Sequence, residues 1–480
     1  MRAMGQEVER TRFDQRDFAR FDARLRAETD ALHELVEQRG LSAHAPVAGL
    51  ELEAWLIDRH GRPAPCNDAF IERLGSPDVV TELGRFNIEL NVPPQPVAGD
   101  GLGRLAADLE RTWRRCAETA AGMGLKVVAI GILPTVTDAD LTMANLSDRA
   151  RYRALNQQVL RQRHGRPIRL DIGGPGGRRL HVEHHDVMLE AAATSFQVHL
   201  QVPADEMVRT YNAALLASAP VVALSGNSPL LFGRELWQET RIPLFEHSLN
   251  IGAREDGGTH APLGRVSFGS GYAGYSLVEC FRENIERFEP LLPVEIDEPI
   301  SRLAHLRLHN GTIWRWNRPL VGFDTDRRPH LRVEHRPMAA GPTVVDMMAN
   351  LAFAIGLVSS LAAEPAAPES RLPFEAARRN FYEAARLGLD ARLRWLDGES
   401  FAATDLLGAL APRARAGLAT LGVEPSLADG WMNLIDARLA ARATGARWQL
   451  ARLAVLGGDL AALTLDYAAR QAEGAPVHCW

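Results

Sequence analysis

Four short segments carry the side chains in this chain that are best suited to chemistry. In Leu50-Glu51-Leu52-Glu53-Ala54, the two-residue period of a strand puts Glu51 and Glu53 on one face and the apolar residues on the other. Residues 86–92 repeat the pattern and align Asn87, Glu89 and Asn91. Residues 196–202 align Gln197, His199 and Gln201, and residues 331–336 align Arg332, Glu334 and Arg336. A solvated sheet face is the plain alternative, because one-sided exposure gives the same alternation. Such faces draw on Thr, Ser and Lys, whereas these carry Glu, Asn, Gln, His and Arg. Carboxylates two apart on a strand repel each other unless a cation lies between them. Hard divalent cations accept one or two carboxylates each, and guanidinium forks suit phosphate oxygens. Carboxylates for metal and arginines for phosphate are the parts of a phosphoryl-transfer site.

These strands need a body to position them. Strand-like runs lie at 48–57, 86–92, 126–133, 195–202, 303–308 and 330–336. Helical periodicity covers 101–122, 148–163, 204–219 and 276–289. A helix over 13–39 places Phe18, Phe21, Leu25, Leu32 and Leu35 on one stripe and stops at Gly40. From 342 onward the pattern is alanine-rich and almost entirely helical. The expected organisation is an N-terminal helical segment at 1–45, a catalytic α+β body at 46–340, and a helical C-terminal region at 341–480 packed on it. Loops rich in Pro and Gly at 164–178 and 252–274 are expected to be mobile.

At 480 residues, with 46% apolar and 24% charged, the chain has the balance of a globular protein with a full core. A net charge of −6 excludes a global nucleic-acid binder, which would carry a basic surplus. The cysteines at 66, 116, 280 and 479 form no CxxC pair and no metal spacing, which points to a reducing compartment. The N-terminus has no apolar h-region, and the longest apolar stretch, 344–363, is interrupted by Asp346 and Asn350. That stretch reads as a buried core helix, so no membrane association and a cytoplasmic location are expected. Residues 269–274 fit GxGxxG but lack the βαβ surroundings of a dinucleotide site. Residues 171–178 lack the Gly-Lys-Ser/Thr end of a P-loop and read as a lid-like loop. His181, His184 and His185 read as surface histidines, and Trp314 and Trp316 as packing and a wall for substrate.

The segments GLELEAWLID (49–58), TELGRFNIELNVPPQP (81–96), TSFQVHLQV (194–202), NSPLLFGRELWQETRIPLFE (227–246), GTIWRWNRP (311–319) and HLRVEHRP (330–337) resemble glutamate–cysteine ligase family 2, the carboxylate–amine ligases of the glutamine-synthetase-like superfamily. The resemblance implies a curved antiparallel sheet with a polar concave face and helices on its back. It implies Mg²⁺, with Mn²⁺ as the alternative, held by Glu51, Glu53, Glu82, Glu89, Gln197 and Glu334. The third strand varies among relatives; this chain has Gln197-x-His199, so either side chain is open as the ligand. Arg336, with Arg332, matches the arginine that meets the transferring phosphoryl group of ATP. Arg241 matches a region where an arginine holds the substrate's carboxylate, and Asn87, His199 and Trp314 are further expected substrate contacts.

The implied reaction is attack of a carboxylate on the γ-phosphorus of ATP, followed by displacement of phosphate from the acyl phosphate by an amine. Glutamate and cysteine, giving γ-glutamylcysteine, are the favoured pair, with another acid or amine as the alternative. A phosphotransferase and a non-catalytic ligand-binding protein are the readings outside amide synthesis. A monomer or homodimer is expected.

Overall fold

Period-two alternation becomes strand pairing in the computed structural model, which describes residues 12–249, 251 and 263–480. The main sheet consists of β1 (Val47–Ile57), β2 (Val79–Thr81), β3 (Asn87–Pro96), β4 (Lys126–Val128), β5 (Phe196–Gln201), β6 (Asn317–Phe323) and β7 (Pro329–His335). Their order is β6-β7-β5-β1-β3-β2, with β4 also beside β1, and every pairing is antiparallel. The sheet curls into half a barrel.

β1 is the spine. One of its edges pairs with β3 throughout, with a register shift between Ala48 and Leu50 that adds local twist. Its other edge is divided: residues 47–52 pair with β5, and residues 55–57 pair with β4. Glu53 lies at the fork between these two partners.

The apolar face of the sheet carries Leu50, Leu52, Ala54, Val198, Leu200 and Val333, all buried. Around Val198, Leu200 and Val333 it packs against helices Met207–Ser225 and Val344–Ala362, which meet it through Thr210, Ala214, Ala354, Ile355 and Val358. Both helices are long and apolar enough to cross a membrane, yet 89% and 83% of their most apolar windows are buried inside the chain. Helix Val344–Ala362 in turn packs against helix Ala403–Thr420. They touch at a glycine pair: a Cβ on Gly417 would fall on the carbonyl of Gly356, and a Cβ on Gly356 on the carbonyl of Ala414.

Three expectations need correction. Residues 303–308 are not a strand; helix Ala304–Asn310 occupies that stretch. The alternation there is overridden by a tertiary cap, because buried Glu28 accepts from the backbone N–H of Leu306 at 2.9 Å and lies 2.7 Å from His305 Nδ1. The run 126–133 is strand only to Val128. Beyond it, the carbonyls of Ala129, Ile130 and Gly131 accept from Gln471, Thr194 and the Thr194 backbone instead of a ladder. The expected loop at 164–178 is largely a hairpin, Ile168–Gly173 against Arg179–His184. Most of the expected loop 252–274 lies outside the described residues.

Gly417→Ala should destabilise the protein by about 1–3 kcal/mol, the usual cost of forcing a methyl into a packed core. The check is the urea midpoint; an unchanged midpoint would show that the two helices separate freely.

Candidate active site

Strand register decides which polar side chains meet. Glu53 faces Glu89 across β1–β3, and Glu51 faces Asn91 on one side and Gln197 on the other. Glu334 faces His199 across β7–β5 and Arg318 across β7–β6. Two clusters result.

The first cluster gathers Glu51, His199 and Glu334, whose ligand atoms all lie within 4.8 Å of one another. His199 Nε2 is 3.1 Å from Glu51 Oε1 and 3.9 Å from Glu334 Oε1. The 3.1 Å approach lacks hydrogen-bond geometry, and both atoms are buried without a hydrogen-bond partner. Orphaned buried donors of this kind fit a divalent cation. Arg318 holds Glu334 by two hydrogen bonds, Nε to Oε2 at 2.7 Å and Nη2 to Oε1 at 2.9 Å. Burial alone would raise the Glu334 carboxyl; Arg318, Arg336 and His199 outweigh it and hold the group well below the usual carboxylate range. Arg332 Nε donates to His199 Nδ1 at 3.3 Å.

The second cluster surrounds Glu53. Its Oε2 accepts from the backbone N–H of Ser195 at 2.7 Å, and its Oε1 from Gln197 Nε2 at 2.8 Å. Gln197 Oε1 accepts from Arg336 Nη1, which also donates to Glu334 Oε2 at 3.1 Å. Arg336 therefore joins the two clusters, and its own Nε is buried without a partner. Beside Glu53 opens a cavity lined by Glu53, Glu82, Asn87, Glu190, Ser195, Arg241, Phe245 and Arg336 among others. Burial and the neighbouring Glu82 push the Glu53 carboxyl up to about 7. Burial, with Glu82 and Glu53, pushes Glu190 up to about 8. Glu89 is raised well above its ordinary value by burial and by Glu51, Glu82 and Glu53.

The structure thus brings Glu51, Glu53, Glu89, Glu334, Arg332 and Arg336 onto one face. It exchanges the places expected for two residues. Gln197, read as a metal ligand, bridges Glu53 and Arg336, while His199, read as a substrate contact, stands with Glu51 and Glu334. Asn87, Glu82 and Arg241 line the cavity. Arg241 is also tied inward, with Nε on Glu239 at 3.0 Å and Nη2 on the Pro337 carbonyl at 2.5 Å. Trp314 lies outside the cavity lining and packs edge-on against Phe245, ring centroids 6.3 Å apart.

Glu190 and Arg318 escape a sequence reading. Glu190 left a trace, as a lone carboxylate inside the apolar run 187–193; Arg318 depends on a pairing register that spacing does not reveal. His184, read as a surface histidine, is buried, with Nε2 2.7 Å from Asp138 Oδ1. The glycines of 269–274 lead into an irregular stretch ahead of helix Val278–Arg287, and among the described residues the preceding strand Val266–Ser267 pairs only with Trp314–Arg315.

The family described as "Glutamate-cysteine ligase family 2(GCS2)" matches residues 4–429 of the chain. Sequence comparison with curated proteins finds no match. Among solved structures, a glutamate–cysteine ligase from Francisella tularensis, in complex with AMP, superposes with a TM-score of 0.52 at 12% identity. That match covers 90% of this chain and 89% of the other. A bifunctional glutathione synthetase from Pasteurella multocida gives a TM-score of 0.51 at 12% identity, over 92% of this chain and 55% of that longer one. At this identity the likeness is one of fold.

The raised carboxyls carry a sign. Their folded pKa values lie above the unfolded value of 4.5, so the folded state holds protons that the unfolded state releases. Their contribution is complete below that value and is lost as pH rises through about 7 and about 8. Without divalent cations, Tm should therefore fall between about pH 7 and about pH 8.5, above the range where the buried, neutral His309, His330 and His335 add stability as pH rises, and Mg²⁺ should restore part of it at the upper end. Scanning calorimetry at several pH values, with and without Mg²⁺, checks this; a Tm that rises over that range would contradict the arrangement.

Proposed function

The chain belongs to glutamate–cysteine ligase family 2 and so is an ATP-dependent carboxylate–amine ligase; within that class we propose that it joins the γ-carboxylate of glutamate to the amine of cysteine. The observation that carries this reading is the meeting of Glu51, His199 and Glu334 with the Arg336 guanidinium on one buried sheet face.

A carboxylate is a poor acylating agent, and phosphorylation by ATP gives it a leaving group. Arg336 is placed to stabilise charge on the transferring phosphoryl group, because its Nε–H has no protein acceptor. Gln197 orients Arg336 relative to Glu53, and Arg318 fixes the Glu334 carboxylate. A divalent cation held by Glu51, His199 and Glu334, with Glu53 in support, would offset the charge of the triphosphate. A ring that ligates through Nε2 carries its proton on Nδ1, so Arg332 Nε must then turn from His199 to another acceptor. The amine next attacks the acyl carbon, forming the C–N bond as the C–O bond to phosphate breaks.

The direct test is a coupled ADP-release screen of amino acids in pairs, with mass spectrometry of the product. ADP, free phosphate and γ-glutamylcysteine are expected. A phosphorylated acceptor without free phosphate, or no ADP from any pair, would overturn the reading.

Two variants test the parts. His199→Ala should raise the Mg²⁺ concentration needed for half-maximal rate by about tenfold or more, and Gln197→Ala should raise it less. The reverse order would return the ligand role to Gln197. Arg336→Lys keeps the charge but loses the fork, so kcat should fall by about 10²–10³ with a much smaller change in KM for ATP. A large rise in KM with kcat intact would make Arg336 a ground-state anchor instead.

A further inference from the structure

The cavity beside Glu53 holds one carboxylate that the phosphoryl chemistry leaves unused. Glu190 sits in the single-turn 3-10 helix Met188–Ala192, between the buried residues Leu189 and Ala191. Its Oε2 is buried and has no hydrogen-bond partner. An orphaned polar atom in a cavity wall is uncommon in a native fold, and a ligand in the cavity would supply its partner.

Two more groups in the same cavity are also incomplete. Asn87 is 2% exposed, and neither its Oδ1 nor its Nδ2 has a partner. Ser195 is 3% exposed, and its Oγ has none. Gly84 makes room for this corner: a Cβ there would stand 2.6 Å from Asn87 Oδ1 and 3.0 Å from the Ala191 Cβ. The guanidinium groups of Arg241 and Arg336 line the same space.

The lining therefore offers guanidinium groups and carboxyl groups together, with neutral hydrogen-bonding groups among them. A polyphosphate would meet Glu53, Glu82 and Glu190, and an apolar ligand would leave all of these unsatisfied. A zwitterion satisfies both signs at once. On the reading that the protein is an amino-acid ligase, we propose that this cavity is the acid substrate's site and that Glu190, with Asn87 Oδ1 and Ser195 Oγ, binds the substrate's α-ammonium group. Arg241 then faces the α-carboxylate, and the side-chain carboxylate is left toward Arg336. Glu190 is a specificity residue in this scheme: it makes the enzyme select α-amino diacids over plain diacids.

Glutarate is glutamate without the α-amino group, so the pair isolates this contact. The experiment compares kcat/KM for L-glutamate and glutarate, with ATP, Mg²⁺ and cysteine, in the wild type and in Glu190→Gln. The wild type should prefer glutamate by about 30-fold or more, the scale of a lost charge-assisted hydrogen bond in a buried site. In Glu190→Gln the preference should fall below about threefold through loss on glutamate, with the Mg²⁺ requirement unchanged. Should that variant fail to fold, Ser195→Ala carries the same test and should cut the preference by about threefold. A preference retained in the folded variants would overturn the assignment. So would an equal loss on both acids with a raised Mg²⁺ requirement, which would make Glu190 a metal ligand. If the wild type turns over neither acid, the glutamate–cysteine reading fails by itself. Calorimetric binding of glutamate and glutarate, with Mg²⁺ and a non-hydrolysable ATP analogue, then decides the role of Glu190 by the same contrast.

Discussion

Like charges buried side by side repel, and much of this molecule is arranged to hold them together. Register places Glu53 opposite Glu89, and both carboxyls, with Glu190, are pushed above their ordinary range. Glu334 is offset by the two-pronged grip of Arg318 and by Arg336. A flexible scaffold would relieve such strain by turning side chains outward. The sheet cannot, because a strand turned over would bury its polar side chains among helices Met207–Ser225 and Val344–Ala362.

The support reaches far along the chain. Gln471 in the last long helix clamps both backbone groups of Ala129, at 2.9 and 2.8 Å, and Tyr467 donates to the same carbonyl at 3.0 Å. The next two carbonyls, of Ile130 and Gly131, hold Thr194, and Thr194 leads into the Ser195 N–H that binds Glu53. A carboxylate on the central strand is thus positioned through residues more than 400 positions away in sequence, whose own composition reads only as alanine-rich helix.

Sequence legibility divided along physical lines. Glu51, Glu53, Glu89, Glu334 and Arg336 were readable because strand period alone sorts them onto one face, and that face exists. The choice between Gln197 and His199 was not, because both share the face: register pairs Gln197 with Glu51 and His199 with Glu334, and only the side-chain conformations bring His199 to Glu51 as well. Glu190 was hidden for a different reason: it arrives from a 3-10 turn outside the sheet, where no periodicity points inward. Helix Ala304–Asn310 misled because its sequence fits two periods, and the buried glutamate that caps it, Glu28, lies 278 positions before Leu306.

The fork in β1 has a consequence for how such a protein diversifies. Two connecting segments, 129–135 and 185–195, enter the sheet where β1 changes partner, and residues 190–195 supply much of the wall beside Glu53. Neither segment takes part in the ladders of β1 with β3 or of β5 with β7. The polar face and the wall beside Glu53 are therefore built by different stretches of chain, joined where Thr194 and Ser195 meet Glu53. Under the assignment proposed above, a change of acid preference would begin at that one margin of the sheet.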